Sequence, residues 1–339
     1  MEYLKNYDGR ELTFMEVCGS HTGAIGKSGI QKVISPKIRL VSGPGCPVCV
    51  SPSAYVDRLV ELALEPDTTV VTFGDMLRIP GSRESLSEAK GRGARVEMVY
   101  SPMDVIALAK EHPKKNYIFA AVGFETTIPV YTLLLDAVQK EGLTNVKILT
   151  ALKVMPPVID YLCKDGPAID GFIAPGHVSV ITGSRHFEKL AETYRIPFAV
   201  TGFSQKELVV GIYGLLRMCE EHEAAVKNYY TSVVTHEGNE EAQKKMAQYF
   251  EAKSAVWRGM GEIPDSGLYL KEEYKDYDAG SFGLTEDKKI NVACRCSEVL
   301  MGKISSEECP LFKKVCTPMT PQGACMVSPE GSCAQKYNI

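Results

Sequence analysis

Short apolar runs of strand type alternate with helical segments over the first two thirds of this 339-residue chain. The β-branched run at residues 68–73 predicts a buried strand, whereas residues 53–64 have apolar side chains at the spacing of one helix face. The alternation continues as far as a long helical segment at residues 205–221. Strands that alternate with helices indicate parallel sheets connected by helical crossovers. The chain is therefore predicted to be an α/β protein.

The predicted strands are too many for one small domain, so three parts are expected. Residues 1–115 and 116–230 are predicted to form two parallel-sheet α/β domains around a cleft. Residues 231–339 are predicted to contain one amphipathic helix, at 239–257, a polar loop region at 258–287, and a small cysteine-rich domain. The last prediction rests on composition, since six of the eleven cysteines lie in residues 294–339.

Charge and hydropathy exclude several classes of protein. The net charge is −4, and no long run of Lys or Arg is present, which argues against a nucleic-acid or anionic-membrane surface. The best candidate for a membrane span, residues 117–135, is interrupted by Glu125. The N-terminus is polar and lacks the apolar core of a signal peptide. We therefore expect a cytoplasmic protein, whose cysteines serve metal or redox chemistry better than structural disulfides.

Two cysteines lie at a predicted strand-to-helix turn, in the segment GPGCPVC at residues 43–49. Gly43 and Gly45 permit a tight loop, and the prolines stiffen it. Cys46 and Cys49 are two residues apart, which predicts a dithiol/disulfide redox pair or half of a metal site. The alternative is a turn that contains two buried, inert cysteines.

Cys18 ends the first predicted strand and is followed by a polar turn that contains His21. Ligands collect at the carboxyl ends of parallel strands, and the CxxC loop also follows a strand end. If the two strands lie in one sheet or face one cleft, the thiols of Cys18, Cys46 and Cys49 can converge. Three soft sulfurs with a nearby histidine suit low-valent iron or another thiophilic metal. The alternative is that Cys18 is a small buried packing residue.

Three further polar residues each follow a predicted strand. Asp75 lies in GDM, Glu125 in GFETT and His177 in PGHVS. Each can reach a shared cleft as an acid, base or hydrogen-bond donor, and Asp75 and Glu125 can equally cap a following helix. Both interpretations stay open for the two acids. The position of His177, between Gly176 and an apolar run, favours a functional role.

The C-terminal segment contains little apolar sequence, so thiolate ligation of a metal is expected to hold it together. Its six cysteines match neither a simple ferredoxin run nor the paired short knuckles of zinc ribbons, and they allow several choices of four ligands. An iron–sulfur cluster is favoured over zinc. Four nearby basic residues could offset the charge of such a cluster: Arg295, Lys303, Lys313 and Lys314.

Taken together, the longer motifs resemble the HypD family of hydrogenase maturation proteins along the whole chain. The motifs are EVCGSHT at 16–22, SGPGCPVC at 42–49, FGDMLRIPGS at 73–82, VGFETT at 122–127 and APGHVSVITG at 174–183. The family's cluster-binding pattern, Cys-x14-Cys-x6-Cys-x16-Cys, is reproduced by Cys294, Cys309, Cys316 and Cys333. The resemblance therefore implies that these four cysteines ligate a [4Fe-4S] cluster, and that Cys296 and Cys325 do not.

The resemblance also implies a function. HypD-like proteins, with the small partner HypC, hold the iron that becomes the Fe(CN)2CO unit of [NiFe]-hydrogenases, and the cyanide comes from HypE. By analogy Cys18 would be the iron ligand, and Cys46 and Cys49 would be a redox pair near that iron that exchanges electrons with the cluster. Such a protein is a metallocentre assembly scaffold rather than a conventional turnover enzyme.

Two functions of other classes stay open. One is a free-standing iron–sulfur thiol/disulfide oxidoreductase that needs no HypC-like partner. The other is a structural zinc protein in which Cys18, Cys46 and Cys49 are inert. A radical S-adenosylmethionine enzyme is disfavoured, since the sequence contains no CxxxCxxC motif.

Overall fold

The computed structural model describes residues 1–165, 168–288 and 291–338. The strands are β1 Leu12–Glu16, β2 Ile38–Ser42, β3 Thr68–Thr72, β4 Val96–Met98, β5 Asn116–Gly123, β6 Val146–Lys153, β7 Gly171–Ala174, β8 Phe198–Val200, β9 Val226–Asn228, β10 Phe250–Trp257 and β11 Gly261–Leu270.

The α-helices are α1 Glu2–Lys5, α2 Gly19–Ser28, α3 Ile30–Val33, α4 Ser53–Leu64, α5 Leu86–Gly91, α6 Asp104–Glu111, α7 Ile128–Lys140, α8 Met155–Asp165, α9 Gly176–Thr182, α10 Glu188–Tyr194, α11 Gln205–Glu220, α12 Glu240–Tyr249, α13 Cys296–Leu300, α14 Ala324–Val327 and α15 Ser332–Tyr337. Short 3₁₀ helices lie at Gly74–Arg78, Ser184–Phe187, Glu272–Tyr277 and Ser306–Glu308.

The strands form two sheets. The first has the order β2-β1-β7-β8-β9, and all its neighbouring strands are parallel. The second has the order β10-β11-β6-β5-β3-β4, in which β6, β5, β3 and β4 are parallel and the β10–β11 hairpin is antiparallel. The prediction of an α/β protein with mainly parallel sheets is confirmed.

Each sheet draws strands from both sides of residue 115. The first sheet combines β1 and β2 with β7, β8 and β9, so the chain leaves this sheet after β2 and returns to it at β7. The second sheet combines β3 and β4 with β5 and β6. A division of the chain at residue 115 therefore does not coincide with the division between the sheets. As a result, His177 follows a strand of the same sheet as Cys18, whereas Asp75 and Glu125 follow strands of the other sheet.

The predicted single helix at residues 239–257 is wrong. Helix α12 ends at Tyr249, and the chain continues as β10, which pairs with β11 in the region expected to be loop. Trp257 explains the difference, because its buried indole donates a hydrogen bond of 2.8 Å to the hydroxyl of Ser266 on β11 and its ring stacks on Phe124. These contacts depend on a strand that comes later in the chain, so tertiary pairing overrides the local helical pattern.

The cysteine-rich segment packs onto the α/β part of the chain. Helix α15 lies against α2, and the six C-terminal cysteines are buried in the same hydrophobic cluster as Met15 of β1 and the two cysteines of the CxxC loop. A separate small domain is therefore not confirmed. The segment shares a core with the loops at the edge of the first sheet.

Within the described ranges, none of the helices combines the length and the apolar character that a membrane crossing requires.

Candidate metal and redox site

Cys18 and the CxxC loop leave the same edge of the first sheet. Strands β1 and β2 are parallel neighbours, with Glu16 opposite Ser42, so both chains turn at the same level. The Gly43 N–H donates to the Glu16 carbonyl oxygen at 2.7 Å, and the Gly19 N–H donates to the Gly45 carbonyl oxygen at 3.1 Å. The two predicted thiol loops are therefore bonded to one another directly through their backbones.

Cys46 and Cys49 are joined by a disulfide, and both residues are buried. The Cys49 N–H lies 3.2 Å from Cys46 Sγ, which fixes the turn between the two sulfurs. Cys49 Sγ also lies 3.8 Å from the carbonyl oxygen of Ala324, the first residue of α14. The disulfide thus contacts the cysteine-rich segment, while the backbone of its loop contacts the Cys18 turn through Gly45.

The thiol of Cys18 is buried at the N-terminus of α2, where Cys18 is the N-cap residue. Burial raises the pKa of this thiol to about 12, against the opposing effect of the backbone amides of His21 and Ser20. The free thiol is therefore protonated at neutral pH. A bound cation would be needed to stabilise the thiolate in this position.

Glu16 is a buried acid that the sequence analysis did not single out. Its Oε2 accepts the Cys18 N–H at 3.0 Å, and its Oε1 accepts the hydroxyl of Thr22. Burial raises the pKa of Glu16 to about 8. The carboxyl also lines a cavity of about 130 Å³ together with Thr22 and Ser42. The sequence contained one signal for this residue, a charged side chain at the end of the mainly apolar run LTFME, which forms β1.

His21 is fully buried, and its Nε2 lies 3.2 Å from the carbonyl oxygens of Thr201 and Gly202, which follow β8. Its ring stacks with Phe203 at a centroid distance of 4.5 Å, and Phe203 also stacks with His177 at 4.1 Å. Burial lowers the pKa of His21 to about 4, so the ring is neutral. Among the described residues, no hydrogen-bond partner lies beside the buried Nδ1 atom of His21.

The carboxyl edge of the first sheet therefore brings Cys18, the CxxC loop, His21 and His177 into one region. Phe203 connects the two histidines and was missed in the sequence, because only the parallel pairing of β7 with β8 places it between their loops.

Glu125 follows β5 of the second sheet and is buried. Its Oε1 accepts the N–H of Met155, the first residue of α8, at 2.8 Å and lies 3.4 Å from His186 Nε2. Its Oε2 is buried without a hydrogen-bond partner in the described part of the chain. Oε1 of Glu125 thus caps the N-terminus of α8. The helix that directly follows Glu125 in the sequence is α7, so the cap is not the one that the sequence suggested.

Asp75 lies in the 3₁₀ helix after β3, where burial raises the pKa of its carboxyl, opposed by the backbone amide of Met76. Burial also raises the pKa of Glu330, with a further contribution from Asp75. Glu330 in turn contributes to the raised pKa of Cys18. Glu330 lies against the Cys18 turn, because a Cβ at Gly19 would be 2.5 Å from the Glu330 carbonyl oxygen.

The six C-terminal cysteines are all buried. The Cys296 thiol interacts with the thiols of Cys294 and Cys325, and Cys325 interacts in addition with Cys333. Cys316 Sγ accepts the Gln322 N–H at 3.4 Å and is electrostatically coupled to Cys309.

This donor set suits a thiolate-bound metal group by its chemistry, since buried thiols are soft ligands in a region that excludes water. Over the three ranges that the structure describes, however, His, Cys, Asp and Glu side chains are nowhere grouped in threes or more with the arrangement of a metal site. The six cysteines share one hydrophobic cluster, and binding of a metal group would require four of their thiols to move closer together.

Arg258 is a partly buried basic residue next to these thiols. Its Nε donates to the Ser51 carbonyl oxygen at 2.6 Å and its Nη2 to the Pro80 carbonyl oxygen at 2.9 Å. The side chain lines a cavity of about 30 Å³ together with Cys294 and Cys296. The four basic residues that the sequence suggested for this role, Arg295, Lys303, Lys313 and Lys314, are exposed.

Comparison with known proteins decides the family. The HypD family model, described as "Hydrogenase formation hypA family", matches residues 1–339. The chain belongs to the HypD family. It is 41% identical over 339 residues to the hydrogenase maturation factor HypD of Rhizobium leguminosarum bv. viciae, an alignment that covers 97% of this chain and 88% of that protein.

Other HypD proteins are similar over the same extent. Identity to the hydrogenase maturation factor HypD of Rhodobacter capsulatus is 40%, over 96% of this chain and 88% of that protein. Identity to the HypD of Cupriavidus necator is 37%, over 97% of this chain and 90% of that protein. The resemblance seen in the motifs is thus confirmed along the chain, and the protein is a hydrogenase maturation factor of the HypD family.

Proposed function

We propose that this HypD-family protein is the scaffold on which the Fe(CN)2CO unit of [NiFe]-hydrogenases is assembled. The iron is the cargo and is held by Cys18, in a complex with a HypC-like small protein, and a HypE-like protein donates the cyanide. The observation that carries the proposal is the direct backbone contact between the Cys18 turn and the disulfide loop, through Gly19 and Gly45. One thiol and one two-electron couple are thereby held at a single sheet edge.

The surroundings of Cys18 suit the binding of a soft metal ion. Burial disfavours the free thiolate of Cys18. Iron that binds Cys18 would take the place of the thiol proton, and its positive charge would stabilise the thiolate. Glu16 holds the backbone N–H of Cys18 and thereby fixes the start of α2. His21 is neutral and lies three residues further on, which suits hydrogen bonding or proton handling rather than ligation of the iron.

The Cys46–Cys49 disulfide is proposed as the two-electron store. Its reduction takes up two electrons and two protons and gives two thiols, and reoxidation returns them. Cys294, Cys309, Cys316 and Cys333 are proposed to hold a [4Fe-4S] cluster, which supplies single electrons when bound. The 3.8 Å approach of Cys49 Sγ to Ala324 supports electron exchange between this segment and the disulfide.

The remaining site residues have less direct roles in the proposal. His177 reaches the same region through Phe203 and is proposed as a hydrogen-bonding group at the edge of the iron site. Asp75 and Glu125 are proposed to act at the boundary between the sheets, as acids or as structural caps. We further propose that the protein works in the cytoplasm, where free thiols persist.

A free-standing iron–sulfur thiol/disulfide oxidoreductase is the second candidate, because a buried disulfide in the same hydrophobic cluster as six buried thiols is also what such an enzyme needs. The two candidates differ in their partners. Tagged protein purified anaerobically from a hydrogenase-producing host should retain a HypC-like protein under the scaffold proposal. Loss of that partner with full thiol–disulfide activity would favour the second candidate.

Infrared spectroscopy of the same purified complex tests the scaffold proposal. Bands of iron-bound cyanide and CO are expected, together with the visible absorbance of an iron–sulfur cluster. A complex that contains stoichiometric iron and the partner but shows neither band would contradict the assembly role.

A further inference from the structure

Arg258 lies in the turn between β10 and β11, where the hairpin of the second sheet meets the loop that follows β2 of the first. Its backbone N–H donates to the Val50 carbonyl oxygen at 2.8 Å, and its Nε donates to the Ser51 carbonyl oxygen at 2.6 Å. These two acceptors directly follow Cys49 in the chain. Arg258 therefore binds the disulfide loop through both its backbone and its side chain.

The same turn packs against the cysteine-rich segment, because a Cβ at Gly259 would collide with the side chain of Ser297 in α13. The Arg258 side chain lines the cavity of about 30 Å³ together with Cys294, one of the proposed cluster ligands, and with Ala324. The carbonyl oxygen of Ala324 is the one that approaches the disulfide. Arg258 is thus located between the disulfide loop and the cysteine-rich segment.

The charge of the guanidinium group is only partly offset by its surroundings. The hydrogen bonds of Nε and Nη2 of Arg258 go to uncharged backbone carbonyl oxygens. The carboxylate that acts on it most strongly is that of Asp287, whose oxygens already accept the backbone N–H groups of Ser53 at 3.2 Å and Gly259 at 2.6 Å. The guanidinium also interacts electrostatically with the thiol of Cys294. Its positive charge is therefore available to the neighbouring sulfurs.

We propose that Arg258 is a positioning residue that makes the Cys46–Cys49 disulfide easier to reduce, because it holds the disulfide loop and stabilises the negative charge that reduction places on sulfur. This inference rests on the proposed redox role of Cys46 and Cys49. Reduction breaks the S–S bond and adds two electrons, and each of the two resulting thiolates takes up one proton from water. In the proposed function the electrons come from the cluster.

The direction of the effect follows from the chemistry of thiolates. A nearby arginine stabilises a thiolate, and stabilisation of the reduced form makes a disulfide more oxidising. Cys46 and Cys49 are buried, so the interaction is screened less than it would be in water. Loss of the guanidinium charge should therefore shift the equilibrium towards the disulfide.

The reduction equilibrium of the disulfide tests the proposal. Anaerobically purified holoprotein is equilibrated with dithiothreitol buffers of graded ratio of reduced to oxidised form, quenched with N-ethylmaleimide and digested. Mass spectrometry then gives the fraction of the peptide with Cys46 and Cys49 that is reduced. In Arg258→Met the equilibrium constant for reduction should fall about tenfold, which is about 30 mV for a two-electron couple. Arg258→Lys keeps the charge and should stay close to the wild-type value.

Two further variants complete the experiment. Arg258→Gln removes the charge but keeps an amide N–H that can donate to the Ser51 carbonyl oxygen, so it carries the test if Arg258→Met does not fold. The matched control is Arg295→Met, at an exposed arginine next to Cys294 in the sequence, and it should follow the wild type. Equal constants for Arg258→Gln and the wild type would overturn the proposal. An equal loss in Arg258→Gln and Arg258→Lys would also overturn it, since the effect would then be one of geometry alone.

The wild-type protein separates failure of this inference from failure of the proposed function. If dithiothreitol reduces the wild-type disulfide and the Arg258 variants do not differ from it, this inference alone is removed. If the wild-type disulfide stays oxidised over the whole range of buffers, the proposed redox role of Cys46 and Cys49 is removed as well. The visible absorbance of the same samples reports the proposed cluster independently.

Discussion

Gly45 lies directly against the backbone of Cys18. A Cβ at position 45 would be 2.4 Å from Cys18 N and 2.5 Å from Cys18 Cα, closer than non-bonded atoms approach. The same glycine accepts the hydrogen bond from the N–H of Gly19. The backbone contact between the Cys18 turn and the disulfide loop thus depends on the absence of a side chain at position 45.

We predict that Gly45→Ala separates the two loops. Overpacking at a backbone contact that cannot relax costs about 1–3 kcal/mol, and the free energy of unfolding in urea should fall by that order. Gly91→Ala is the matched control, because a Cβ at Gly91, the last residue of α5, has no heavy atom within 4 Å. Equal stability of the two variants would contradict the importance of the Gly45 contact.

The sequence was sufficient to predict the parallel sheets and the two thiol loops, because both depend on local information. The periods of residues 38–42 and 53–64 identify a strand and a helix, and a CxxC motif between them must lie at a strand end. The prediction that Cys18 lies beside this loop depended in addition on β1 and β2 being neighbours in one sheet. The structure shows that they are.

The remaining features depend on contacts between distant parts of the chain. Strand β7 pairs with β1 across more than a hundred residues, so no local pattern could place His177 beside His21. The strand β10 was predicted as helix because its pairing with β11 and its contact with Phe124 are tertiary. Arg258 was missed for the same reason, since its partners Ser51 and Pro80 lie far away in sequence.

The proposed cluster ligands are distinguished from the other two C-terminal cysteines by single substitutions. Replacement of Cys294, Cys309, Cys316 or Cys333 by Ala should remove the brown colour and lower the stability of the C-terminal segment, because a structural metal group contributes to folding. Absorbance, iron content and sulfide content of anaerobically purified protein measure the effect.

Cys296→Ala and Cys325→Ala are the controls for these substitutions, and both should keep the cluster. If either of them bleaches the protein while Cys309→Ala retains the cluster, the ligand assignment is wrong.

Lys153 is expected to make the free energy of unfolding depend on pH. Its ammonium group is buried, donates to the Val256 carbonyl oxygen at 2.7 Å and lies 5.1 Å from the centroid of the Trp257 ring. Burial lowers the pKa of Lys153 to about 7 from an ordinary value of 10.5. Between these values the unfolded chain binds a proton that the folded protein does not, so stability should increase as the pH rises from 7 towards 10.5.

The corresponding experiment is urea unfolding at pH 7, 8, 9 and 10. Lys153→Met should lack this contribution, whose slope approaches about 1.4 kcal/mol per pH unit at most. Lys189→Met, at an exposed lysine of α10, serves as the control and should follow the wild type. Parallel curves for the wild type and Lys153→Met would contradict a buried, predominantly neutral lysine.

The proposed binding of iron by Cys18 can be tested by the infrared spectrum of the complex with the HypC-like partner, isolated anaerobically. Wild-type protein and Cys219→Ala, which alters a half-buried cysteine on α11, should both show the bands of iron-bound cyanide and CO. Cys18→Ala should lack these bands and still show the visible absorbance of the cluster and an unchanged circular dichroism spectrum. A Cys18→Ala complex that retains the cyanide and CO bands would show that another residue holds the iron.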